Sequence, residues 1–164
     1  MKTRTLGVCL LLLINVSFIK GQSLADKVDM WMGTYGAGHC VVGPQLPHGS
    51  VNPSPQTANG GHAGYMPDQP IRGFGQLHVS GIGWGRYGQV LLSPQVGFNP
   101  GEKGHDSPKQ DEVASPYYYK VMLNRYNIQA EVSPTHHCAA YRFTFPETDQ
   151  GNILLDIAHN IPQH

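Results

Sequence analysis

The chain has 164 residues, a length that favours one domain, with a formal net charge of +0 and only 13% charged residues. That balance sets up no basic field to attract nucleic acid or an anionic membrane surface. The 20 glycines and 13 prolines, spread along the chain, exclude an architecture of long helices and suit short strands joined by turns.

Residues 1–22 read as a secretory signal peptide. Lys2 and Arg4 give a positive start, and the apolar stretch Leu6–Ile19 is broken by Asn15 and Ser17. "KGQS" follows, with Gly21 as a small residue near a cleavage point. The stretch is short and interrupted for a membrane span, and a retained anchor is the alternative. The mature chain, 23–164, is expected to be secreted or periplasmic, with no later segment apolar enough to enter a membrane. Cys9 leaves with the signal, while Cys40 and Cys138 remain where a disulfide survives. Sequence does not fix their separation, so they either pair or stand as two thiols.

From Leu24 to about Gly73 neither a helical nor a strand period is sustained, apart from short strands expected near Cys40–Val42 and Gly49–Val51. So long an irregular segment points to a functional surface. "FGQLHVSGIGWGRYGQVLLSP", residues 74–94, then reads as a strand, a loop studded with Gly81, Gly83, Gly85 and Gly88, and a second strand over 87–94. "YYYKVMLN" (117–124) and "YNIQAEVSP" (126–134) follow; the latter alternates Ile128, Ala130 and Val132 against Gln129, Glu131 and Ser133. Asn124-Arg125 is placed to make a tight hairpin between them. "CAAYRFTFP" (138–146) alternates again, and "GNILLDIA" (151–158) is an apolar run. Strands at this spacing predict an all-β fold, an antiparallel sandwich, with no internal repeat. The last strand lies close to the terminus, so the sandwich is expected to be incomplete.

The 9 histidines are scattered without the paired spacing of a zinc site, so no metal site is expected. His78 stands out because it borders the glycine loop. No two carboxylates are marked out as the acid and base of a glycosidase, so no catalytic residue is assigned. Asp111-Glu112 lies in a polar stretch and is expected to face solvent. The glycine loop has neither a phosphate-loop lysine nor dinucleotide-fingerprint spacing. Trp84, the large apolar group within it, either stacks on a sugar ring or is buried and anchors the loop.

Several segments resemble, in order, the amino-terminal domain of glycoside hydrolase family 92, the exo-acting, calcium-dependent α-mannosidases. "VDMWMGTYGAGHCVVGPQLPHGSVNPSPQT" is similar to that family's opening, "V-N-x-F-I-G-T" followed by "P-x-G" and "S-P-x-T". "GFGQLHVSGIGWGRYGQVLLSP" resembles "G-F-S-H-x-H-L-S-G-T-G" followed by "G-D-x-x-L-x-P". "DEVASPYYYKVMLNRYNIQAEVSPTHHCAAYRFTFPE" resembles "E-x-A-x-P-G-Y-Y-x-V-x-L", "I-x-A-E-L-T" and "R-Y-T-F-P". The likeness runs from Val28 to about Ile157.

The resemblance implies a supersandwich-like domain packed against a larger carboxy-terminal (α/α) barrel. That barrel would carry the general acid, the general base and the calcium ligands, leaving no cofactor in this chain. Trp84 would then be an aromatic wall for the sugar next to the cleaved mannose, with His78, Ser80 and Gly83 shaping it. The implied partners are α-mannosides, N-glycan mannose among them, and the barrel, which this chain lacks. Alone, the chain is expected to hydrolyse nothing. A stand-alone carbohydrate-binding module and a degenerate structural fragment remain as alternatives. Arg86 and Gln89 stand where the family commonly has acidic residues, Gln76 where it has a histidine, and Met30-Trp31 near its "N-P-F".

Overall fold

The computed structural model describes residues 23–81 and 87–161. The segment read as a signal peptide, and Gly83 and Trp84, lie outside the described residues. Among the described residues, eight strands form two antiparallel four-stranded sheets. β1 (Ser54–Thr57), β2 (Ile71–Gly75), β3 (Leu91–Val96) and β8 (Gly151–Asp156) make the first, in the order β1-β2-β3-β8. β4 (Lys109–Ser115), β5 (Tyr118–Leu123), β6 (Ile128–Pro134) and β7 (Ala139–Thr144) make the second, a meander in chain order. A single helical turn, α1 (Glu102–His105), packs on β2 and β3.

The second sheet follows from its alternation. Tyr119, Val121 and Leu123 stand opposite Val132, Ala130 and Ile128, and all six are buried. The intervening Gln129 and Ser133 point away from the core, as a period of two requires. The hairpin between β5 and β6 closes through residues 124–127, and Asn127 takes the left-handed conformation at φ 53°. Asparagine tolerates that region, so the turn takes four residues and the Asn124-Arg125 pair does not close it alone. Phe74 joins the sheets: its ring lies 6.5 Å from that of Tyr119 and 5.7 Å from that of Phe143. The predicted antiparallel sandwich is the fold.

The first sheet departs from the sequence pattern. Cys40–Val42 and Gly49–Val51 are not strands, although Val42 and Val51 are buried. Their backbone is held by bonds to distant chain instead: Gln45 N–H to Pro116 O at 2.9 Å, Ser50 N–H to His136 O at 2.7 Å and Asn52 N–H to Gln76 O at 3.1 Å. The strand in this region is β1, whose polar "SPQT" is buried throughout. The Ser54 hydroxyl accepts from Gly43 N–H and the Thr57 hydroxyl from Met66 N–H, so the polar groups are satisfied where they lie. Cys40 and Cys138 are free thiols.

Glu112 does not face solvent. Its carboxylate accepts from the buried phenols of Tyr65 and Tyr119 and pairs with Lys109 at 3.0 Å. Burial is the first cause raising both phenol pKa values, and the Glu112 charge adds to it. Burial also lowers the Lys109 ammonium, against the pull of Glu112. Removing one partner of such a pair strands the other. Glu112→Ala is therefore expected to cost about 3 kcal/mol in urea denaturation at neutral pH. The same change at exposed Asp149 should stay within about 0.5 kcal/mol.

Candidate functional site

The glycine loop is described at both stems, and each is pinned. On the entering side, Gly81 N–H donates to His39 O at 2.6 Å, and the Ser80 hydroxyl accepts from Val41 N–H at 3.3 Å. On the leaving side, Gly88 N–H donates to Leu77 O at 2.8 Å, tying the stems together, and Tyr87 O accepts from Ile161 N–H at 3.0 Å. The Gln56 carboxamide, buried on β1, donates to Gly88 O at 2.9 Å. Its oxygen faces His159 Nε2 at 2.6 Å. Because that oxygen only accepts, Nε2 of His159 carries the proton.

Two glycines make this convergence possible. Gly88 sits at φ +80°, and any Cβ there would collide with the Gln56 amide. A Cβ on Gly75 would lie 2.6 Å from Gln56 Nε2 and 3.0 Å from His78 Cε1.

His78 is buried at the entering stem of the loop. Its Nδ1 lies 3.0 Å from Asn52 O, an acceptor, so Nδ1 holds the proton. Nε2 keeps its lone pair and has no hydrogen-bond partner among the described residues. Burial pushes the His78 pKa down to about 4, outweighing the Asn52 bond. The His159 pKa is also lowered, first by burial. Both imidazoles are therefore neutral at pH 7.

Beside these groups opens a cleft of about 280 Å³, lined by Gln56, Thr57, Asn59, Arg72, Glu102 and His159 among others. Arg72 reaches it already paired, with Nε 2.8 Å and Nη2 3.2 Å from the Asp106 carboxylate. Carboxamides, a hydroxyl, an imidazole and a held guanidinium can exchange hydrogen bonds with a polyol. Glu102 is the single carboxylate among the described lining residues. Hydrolysis with inversion needs two, set apart around a water.

The sequence profile of the glycosyl hydrolase family 92 N-terminal domain matches residues 27–164. The chain belongs to that family. An α-mannosidase of family 92 from Bacteroides thetaiotaomicron, solved in complex with mannoimidazole, superposes with a TM-score of 0.78 at 32% identity, over 85% of this chain and 20% of its own. A further family 92 glycosyl hydrolase gives a TM-score of 0.76 at 29% identity, over 83% of this chain and 20% of its own. A protein of Arthroderma benhamiae described as an uncharacterized secreted glycosidase is 30% identical over 166 residues, spanning 88% of this chain and 21% of that protein. The chain thus spans about one fifth of the length of these relatives.

Of the site residues expected from sequence, His78 is buried at the entering stem of the glycine loop and Ser80 is exposed on it. Gln56, Arg72 and His159 were not singled out, for none carries a spacing signature; the structure brings them together from β1, β2 and the segment after β8. Calcium takes about 6–8 oxygen ligands. Among the described residues no three His, Cys, Asp or Glu side chains converge on one point. Glu112, Glu131 and Asp106 are each engaged by a cation of the chain.

The buried neutral imidazoles give stability a defined pH dependence. The unfolded chain takes up a proton at His78 near pH 6.5, whereas the folded chain resists until about pH 4. The contribution is full above pH 6.5 and lost as pH falls toward 4, by about 3 kcal/mol. His159 acts in the same direction. Urea midpoints measured between pH 7 and pH 4 should fall accordingly, and His78→Gln should flatten most of that slope.

Proposed function

We propose that this domain forms one wall of an α-mannoside pocket, with a separate (α/α) barrel domain supplying the general acid, the general base and calcium. The observation that carries the reading is the pinning of both loop stems beside a polar cleft. In this reading the loop between those stems supplies Trp84, whose indole offers its face to the C–H side of a sugar, while polar neighbours take the hydroxyls. His78 fixes the floor of the loop through Asn52, and Ser80 and Gly83 shape its edge. Family membership and the mannoimidazole complex of the Bacteroides relative support mannose as the ligand class. N-glycan mannose is the natural source of such a ligand for a secreted protein. Export by residues 1–22 agrees with the relative described as a secreted glycosidase.

Tryptophan emission titrated with mannose and with α-mannobiose should shift and saturate. Trp84→Phe should abolish that shift, while Trp31→Phe, whose ring packs 6.4 Å from Tyr65, should keep it. A chain with a β-type far-UV spectrum and an unresponsive emission overturns the reading. Mannose release by the chain alone, lost in Glu102→Gln, overturns the assignment of hydrolysis to another domain.

A further inference from the structure

The turn after β1 reads Ala58-Asn59-Gly60-Gly61 and forms part of the cleft lining beside Gln56 and Thr57. Asparagine is thermolabile because the backbone nitrogen of the next residue can attack its carboxamide and close a cyclic imide. A side chain on that next residue shields the nitrogen, and glycine has none. A hydrogen bond on the nitrogen or on the carboxamide holds the two apart.

The asparagines of this chain divide on those criteria. Asn52 and Asn99 precede Pro53 and Pro100, which have no N–H to offer. Asn52 is also buried, its carboxamide donating to His78 O at 3.3 Å. Asn124 precedes Arg125, whose N–H donates to the Ser107 hydroxyl at 3.0 Å. Asn160 precedes Ile161, whose N–H donates to Tyr87 O at 3.0 Å. Asn127 and Asn152 precede the β-branched Ile128 and Ile153, both within strands. Asn59 alone precedes a glycine, Gly60. It is exposed on the turn, and among the described residues neither its carboxamide nor Gly60 N–H takes a hydrogen bond.

We propose that Asn59 is a self-modifying position, which converts through a cyclic imide to isoaspartate and aspartate and so places a carboxylate in the cleft lining. Gly60 N gives its proton to solvent and attacks Asn59 Cγ. The N–Cγ bond forms, the Cγ–Nδ2 bond breaks, and the amide takes a proton from solvent and leaves as ammonia. Water then opens the imide. Opening at Cγ gives aspartate; opening at the main-chain carbonyl gives isoaspartate, in which the chain runs through the former side chain. No oxidation state changes, and water is the sole co-reactant.

Both products change the cleft. Either one adds a negative charge to a chain of formal net charge +0, in a lining that already holds Arg72, Glu102 and His159. Isoaspartate also adds a methylene to the main chain, and the turn has little slack for it. Thr57 N–H donates to Gly64 O and Ala58 N–H to Pro70 O, both at 2.9 Å. Gly60 is pressed against Gly64, where a Cβ on it would lie 2.0 Å from the carbonyl carbon. The longer link therefore displaces the turn beside Gln56.

The full chain, incubated at mildly alkaline pH in heavy-oxygen water, digested in acid and mapped by mass spectrometry, provides the test. Residue 59 should convert at least roughly tenfold faster than any other asparagine of the folded chain. It should take up heavy oxygen and yield isoaspartate, identified by its fragmentation. The aspartate product should co-elute with the Asn59→Asp chain on ion exchange. Asn59→Gln, whose longer side chain must close a larger ring, should keep its amide over the same time. A residue 59 that stays amidated, one that yields aspartate without isoaspartate, or an Asn59→Gln chain that converts as fast overturns the proposal.

Discussion

A single buried carboxamide holds together the three pieces from which the cleft is made. Gln56 is 2% exposed, and a buried amide left without partners costs about 1–3 kcal/mol. Its donor is satisfied by Gly88, 32 residues away, and its acceptor by His159, 103 residues away. Neither partner can move off without stranding a polar group in the interior. Gly75 and Gly88 leave room for the amide because neither carries a side chain. The leaving stem of the loop, the cleft wall and the course of the chain after β8 thus answer to one residue of a four-residue strand.

The two sheets were unequally legible for a physical reason. Periodicity reports a contrast between core and solvent, and β5 and β6 have that contrast: Val121, Ala130 and Val132 are sealed while Lys120 and Gln129 are turned out. β1 has none. Both faces of Ser54–Thr57 are covered, and its polar groups are satisfied by Gly43, Met66, Gly88 and His159 from elsewhere in the chain. A strand solvated by the protein looks like a loop in the sequence. Glu112 misleads in the same way. Its phenol partners lie 47 and 7 residues away, and only the fold brings them together with Lys109 around one carboxylate.

The site was legible to the extent that local sequence encloses it. The glycine spacing marks the loop, and His78 is conspicuous because it stands at the loop's edge. The resemblance placed the chain in family 92, and the fold comparison agrees at a TM-score of 0.78. The cleft wall was not legible because Gln56, Arg72 and His159 come from separate elements, and their chemistry is ordinary until they meet. The nearest signal was the "S-P-x-T" segment, in which Gln56 occupies the variable position.

The segment after β8 joins the first sheet to the cleft. Asp156 closes that strand by accepting from Ala158 N–H at 3.0 Å, and His159 and Ile161 follow at once to grip Gln56 and Tyr87. The cleft is therefore anchored to β8, whose register against β3 runs from Leu91–Asp156 to Val96–Gly151. That pairing fixes the point from which His159 is delivered, so the order of the first sheet bears directly on how firmly Gln56 is held.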